Sequence, residues 1–143
     1  MNIIRRLFTQ MMQDISAFGS LSFFGVCIVV LYALGEFTLS VKLLFGIILL
    51  FMTYIPLRLL FFHARPKKIS YKTLIEKIDA SSFPSMHTGR MGLFVALTDF
   101  SLLAIFLAFL VCYSRYYCQK HYVVDITYGF LIGLIIGIIL LVL

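Results

Sequence analysis

Long apolar runs alternate with short polar stretches along the whole chain. Residues 1–16 come first, with Ile3, Ile4, Leu7, Phe8, Met11, Met12 and Ile15 at helical spacing and Arg5, Arg6, Gln10, Gln13 and Asp14 opposite. That pattern predicts an amphipathic helix lying in a membrane interface. Arg5 and Arg6 ahead of an apolar run also fit a signal peptide, but the run starts too far downstream and no small-residue cleavage site follows it. Five apolar runs then occupy about 18–34, 41–62, 86–97, 102–117 and 122–143. The first stops at Gly35-Glu36, and the second contains Pro56, which a membrane helix tolerates. The third is short unless it begins below the membrane surface, and Asp99 to Ser101 turns the chain into the fourth. Residues 64–85 form the longest polar connection, where Arg65-Pro66 ends a helix. Tyr71, Leu74, Ile75 and Ile78 then make a helical stripe, read either as an interfacial lid or as a solvated linker helix.

Composition turns this pattern into a fold class. The chain is 62% hydrophobic and 13% charged, against roughly half and a quarter in soluble domains. Mean hydropathy is +1.07. Strand-type alternation is absent, so the expectation is an all-α polytopic transmembrane bundle of about five spans. Residues 1–143 form one domain, with 1–16 as an interfacial helix and 17–143 as the transmembrane core. Gly129, Gly133 and Gly137 give the last helix one small face, for close packing within the protein or in a homodimer. Cys27, Cys112 and Cys118 show neither a disulfide framework nor zinc spacing.

The net charge of +6 sits in short stretches between apolar runs. Lipid headgroups or an anionic substrate are therefore the expected partners, and nucleic acid is not. Five spans put the loop bearing Arg65 and His87 on the same face as the loop bearing Arg115 and His121, and the N-terminal helix joins them. The opposite face carries little beyond Glu36, Lys42 and Asp99.

Three stretches carry the chemistry. In RLLFFHARP, Arg58 and Arg65 are seven residues apart, about two helical turns, so both can point one way. Arg58 alone could snorkel to the interface, but an arginine within a span is a functional candidate. PSMHT opens a helix at Pro84, where free backbone N–H groups suit phosphate oxygens. Ser85 adds a hydroxyl and His87 sits in the first turn. In SRYYCQKHYVVD, His121 and Asp125 are four apart and share one face if a helix begins near here, a nucleophile beside a carboxylate that orients it. Arg115 adds a fork of donors for phosphate. Taken singly, His121 reads as an interfacial polar residue and PSMHT as a helix cap. Lys67, Lys68, Lys72, Lys77 and Lys120 read as a solvated basic rim, His63 as interfacial, and Cys118 as a bystander thiol.

Together the three resemble the type-2 phosphatidic acid phosphatase family, which shares its site with vanadium haloperoxidases. The family pattern is KxxxxxxRP, PSGH and SRxxxxxHxxxD, and the likeness covers Arg58 to Asp125. The resemblance implies that His121 attacks phosphorus and forms a phosphohistidine, that Asp125 orients it, and that His87 serves as acid and then base. It implies that Arg58, Arg65, Arg115, Ser85 and the Met86 amide hold the phosphoryl oxygens, with no metal and no cofactor. Arg58 stands where the family has lysine, and Met86 where it has glycine. A glycine there permits positive φ; a helical Met86 would instead be harmless and could touch the substrate chain. The family commonly has six spans, against the five expected here.

The implied activity is hydrolysis of a lipid phosphate: phosphatidic acid, phosphatidylglycerol phosphate or a polyprenyl diphosphate. The same residues would serve a lipid-linked phosphotransferase. A non-catalytic anion-binding membrane protein is the third reading, and it has no need of the His121–Asp125 spacing. The basic face argues for a cytoplasmic site, whereas the resemblance leans outward.

Overall fold

The computed structural model describes residues 3–67 and 70–143, and within them every regular element is helical. Lys68 of the expected basic rim and Met1 of the expected first helix lie outside the described residues. The helices are α1 (Ile3–Ser16), α2 (Leu21–Ala33), α3 (Phe37–Leu60), α4 (Leu74–Ala80), α5 (Met86–Leu97), α6 (Leu102–Tyr117) and α7 (Val123–Val142), with a 3₁₀ turn at Ala17–Gly19.

Local chemistry explains the boundaries. Ser20 caps α2 by accepting from the Phe23 amide, and Ser101 caps α6 through Ala104. At the end of α2, Gly35 has φ +85°, and the Glu36 and Gly35 amides donate back to Leu31 and Tyr32. Only a residue tolerant of left-handed backbone closes a helix this way, which is why the first apolar run stops there. Thr73 and Glu76 form a reciprocal capping box that starts α4. The lid-or-linker helix therefore exists, displaced a few residues from its apolar stripe. Its Leu74 and Ile75 are exposed.

Two helices, α3 and α7, are long and apolar enough to cross a membrane, with mean hydropathies of 2.2 and 2.4. The α1–α2 pair passes the same test jointly but bends by 49° at the 3₁₀ turn, so it makes one broken span or a re-entrant pair. Helices occupy all five expected runs, yet length and composition carry two or three spans. The 12-residue α5 is only about 18 Å long at ~1.5 Å per residue. Nine of its residues are buried by neighbouring helices. Its apolarity thus serves the protein interior rather than lipid.

The core lies among α2, α3, α5, α6 and α7, around Phe24, Leu43, Leu50, Leu93 and Val111. Lipid is as apolar as these side chains, so close packing and interhelical hydrogen bonds do more here than in water. The Tyr54 hydroxyl of α3 donates to the Gly129 carbonyl of α7 at 2.6 Å. Thr88 of α5 donates to the Ile126 carbonyl at 3.1 Å. The most extensive contact is α5 on α7. A Cβ on Gly133 would run into the Gly89 backbone carbonyl, and one on Gly137 would meet the Ala96 Cβ at 2.5 Å. The expected homodimer through Gly129, Gly133 and Gly137 is therefore corrected. All three glycines are buried against α5 or its N-terminal loop within the same chain, so this face is already occupied and does not support a dimer.

Candidate active site

The three motif stretches meet at one end of the bundle, joined by main-chain hydrogen bonds. Ala64 and Ser81 form an antiparallel bridge, and the Ser82 amide donates to the His63 carbonyl at 2.7 Å. The Ser85 amide donates to the Asp125 carbonyl at 3.0 Å, and the Lys67 amide to the Gln119 carbonyl at 3.3 Å. Main-chain bonds thus fix the register of RLLFFHARP against PSMHT, and of both against SRYYCQKHYVVD.

Three arginines enter the junction, Arg58 from α3, Arg65 from the segment after it and Arg115 from α6. Arg58 Nη1 donates to the Ile78 carbonyl at 3.1 Å and Nη2 to the Pro84 carbonyl at 2.9 Å. Arg65 donates to the Asp79 carbonyl and pairs with the Asp79 carboxylate at 3.8 Å. Both cations thereby sit at the C-terminal end of α4, where the helix dipole favours positive charge. Arg115 Nη1 donates to the Ser16 hydroxyl at 2.8 Å. Arg58 and Arg115 are buried at 5% and 9% exposure, and Asp125 is the one buried carboxylate among the described residues. The Nε atoms of Arg58, Arg65 and Arg115 and the Ser85 hydroxyl are buried without a hydrogen-bond partner there. A buried surplus of positive charge with orphaned donors is chemically matched by a multiply charged oxyanion.

The first helical bond of α5 runs from the Gly89 amide to the Ser85 carbonyl at 3.0 Å. The amides of Met86, His87 and Thr88 lie ahead of it, at the open end of the helix. Met86 is the first residue of α5 and is not among the positive-φ residues. Glycine is therefore not required there. His87, in the same turn, packs beside Gly19, whose added Cβ would come within 3.0 Å of the His87 Cβ.

His121 sits in the loop before α7 at 2% exposure. Its Nδ1 lies 2.8 Å from the Ser82 carbonyl oxygen and its Nε2 lies 3.3 Å from Arg115 Nη2. A carbonyl only accepts and a guanidinium only donates, so Nδ1 carries the proton and Nε2 presents its lone pair. Burial, then Arg115 and Arg65, push the His121 pKa down to about 2. The imidazole is thus neutral across physiological pH.

Asp125 departs from the expected geometry. Its Oδ2 accepts from the Tyr122 amide at 2.8 Å and lies 4.0 Å from His121 Nδ1, beyond hydrogen-bond reach. Its Oδ1 pairs instead with His63 Nδ1 at 3.0 Å. The group touching the nucleophile candidate is the Ser82 carbonyl, which sequence reasoning missed because a main-chain acceptor leaves no side-chain signature. Ser16 and Arg90 were missed as well. Arg90, buried on α5, donates to the Gly19 carbonyl at 2.7 Å. An arginine inside an apolar run was the available signal for it.

A cleft of about 500 Å³ opens beside His121, lined by Pro66, Tyr116, Tyr117, Gln119, His121 and Tyr122. A second, of about 310 Å³, is lined by Gln13, Ser16, Arg115, Cys118 and Lys120. Among the described residues, no group of three or more His, Cys, Asp or Glu side chains is placed to hold a metal ion.

No curated protein matches the chain. The crystal structure of Aquifex aeolicus LpxE is similar, with a TM-score of 0.80 and 25% sequence identity, covering 96% of this chain and 87% of that one. The family model described as PAP2 superfamily matches residues 21–143. The likeness read from the motifs is borne out over most of the sequence, and the chain belongs to the PAP2 superfamily.

Proposed function

We propose that this protein is an integral membrane lipid phosphatase that hydrolyses a phosphate mono- or diphosphate ester of a lipid through a phosphohistidine. The observation that carries the reading is the state of His121. It is neutral, with its Nδ1 proton on the Ser82 carbonyl and its Nε2 lone pair beside Arg115. That is the protonation state in which an imidazole attacks phosphorus.

In the first step Nε2 of His121 forms a bond to phosphorus as the ester oxygen leaves from the opposite side. His87, whose pKa burial and the arginines push down to about 2 in the free protein, becomes an imidazolium when the bound phosphate offsets those arginines, gives that oxygen its proton and is left neutral. In the second step His87 takes a proton from water, whose oxygen replaces Nε2 on phosphorus and frees inorganic phosphate. Arg58, Arg65 and Arg115, with Ser85 and the Met86 amide, hold the non-bridging oxygens. Phosphoryl transfer depends mainly on positioning and on stabilising charge at those oxygens, and three guanidinium groups supply both without a metal.

The surroundings of His121 support a lipid substrate. The cleft at His121 is walled by Tyr116, Tyr117 and Tyr122, amphipathic rings suited to a headgroup boundary. Phosphatidic acid, phosphatidylglycerol phosphate and polyprenyl diphosphates all present a terminal phosphate on an apolar chain. The test is phosphate release by detergent-purified protein from a panel of these lipids. Activity is expected to survive chelator, to be blocked by vanadate, and to vanish in His121→Ala. Metal-dependent turnover, or an active His121→Ala variant, overturns the mechanism. Transfer to an added lipid or sugar acceptor without phosphate release would identify the phosphotransferase instead.

A further inference from the structure

His63 fits no position of the family pattern, yet it touches both groups that set the nucleophile. Its ring Nδ1 lies 3.0 Å from Asp125 Oδ1. Its carbonyl oxygen accepts from the Ser82 amide at 2.7 Å and from the Ser82 hydroxyl at 2.9 Å. Ser82 in turn presents the carbonyl oxygen that receives the His121 Nδ1 proton. The His63 ring also rests against Tyr122, with centroids 5.0 Å apart and planes tilted by 31°.

We propose that His63 is a positioning residue for the nucleophile, fixing the Asp125 carboxylate with its side chain and the Ser82 carbonyl with its backbone. The proposal rests on the phosphatase reading given above. Asp125 shows why the side chain is needed. The Tyr122 amide holds only Oδ2, and a carboxylate held at one oxygen turns easily about its last torsion, which has broad minima. His63 holds Oδ1 and stops that rotation. Oδ2 then stays 4.0 Å from His121 Nδ1, where its charge favours the cationic ring that forms when Nε2 bonds to phosphorus. Half of the His63 side chain is exposed, and its contacts run to Asp125, Ser82 and Tyr122. The residue therefore acts on the reaction through Asp125 and Ser82.

Two variants separate the hydrogen bond from the ring. His63→Phe keeps a ring against Tyr122 and removes the donor. His63→Gln loses the ring and keeps an N–H. For the phosphatase with phosphatidic acid, His63→Phe is expected to lower kcat about tenfold, the scale of lost orienting partners, with KM within about twofold. His63→Gln should recover most of the loss. A merely structural role would move the melting temperature and folded yield of both variants together and would show no rescue by glutamine. A readout independent of turnover is the His121 Nδ1–H resonance in protein labelled with ¹⁵N-histidine. It should shift or broaden in His63→Phe and return in His63→Gln. An unchanged resonance in His63→Phe, or a kcat loss that glutamine does not rescue, overturns the assignment. An active His121→Ala variant instead overturns the phosphatase reading, whatever the resonance does.

Discussion

Asp125 Oδ2 stands 4.0 Å from His121 Nδ1, while the Ser82 carbonyl oxygen takes the proton of that nitrogen at 2.8 Å. The tautomer of His121 is thus set by main chain, and in the proposed mechanism the carboxylate acts at a distance by charge. In Asp125→Asn the ring should keep its orientation and lose only that charge. We expect kcat to fall by about 10²-fold, short of the ~10⁴-fold seen where a carboxylate alone fixes the tautomer. Steady-state kinetics of Asp125→Asn beside His121→Ala checks this. Equal loss in the two variants would contradict it.

Arg58 uses both arms of its fork, one on the Ile78 carbonyl and one on the Pro84 carbonyl. It thereby ties the end of α4 to the loop that opens α5. A lysine, the residue of the family pattern, reaches one such carbonyl at a time. Arg58→Lys should lower kcat/KM about tenfold, equivalent to ~1.4 kcal/mol. An unchanged kcat/KM would show that charge alone matters at this position.

Gly133 faces the Gly89 backbone so closely that any side chain there separates α5 from α7. Gly133→Ala should cost about 1–3 kcal/mol, the range for overpacking a close-packed interior. It should also lower activity, because α5 carries His87 and α7 carries Asp125. Thermal unfolding in detergent beside phosphatase assays is the check. Gly25, whose added Cβ meets nothing within 4 Å, serves as the control and should show little change at Gly25→Ala.

The neutral His121 also predicts a pH dependence of stability. Its folded pKa is pushed from 6.5 down to about 2. Between those values the unfolded chain binds a proton that the folded protein refuses. Its contribution to stability is therefore complete above 6.5 and is lost progressively as pH falls toward 2. The melting temperature should drop on acidification, and His121→Gln should flatten that drop. A variant with the same slope as the parent would contradict the assignment.

The three motifs of the candidate site were legible because their side chains stand at fixed spacing. Arg58 to Arg65, Pro84 to His87 and Arg115 to Asp125 each form a short local pattern, and their order along the chain carried the family. His63 and Ser82 were not legible. In the proposed mechanism Ser82 acts through its carbonyl, and His63 comes beside it only because Ala64 and Ser81 pair across the loop. The spans were legible as helices but not as crossings. Periodicity does not separate a helix buried by protein from one buried by lipid, and α5 is the former. The glycine face of α7 was read correctly as a close contact, while its partner emerged only with Gly89 and Ala96 on α5.

Ser16, the last residue of α1, holds Arg115 by its hydroxyl, and the Phe8 ring edges onto Tyr117 in the same helix pair. An affinity tag or fluorescent fusion ahead of α1 is therefore not a neutral handle. If it unseats that helix, the guanidinium beside His121 loses an anchor roughly a hundred residues away in sequence. A tagged preparation that turns over poorly would then report on the tag, whereas the same appendage after α7 would leave the reaction centre untouched.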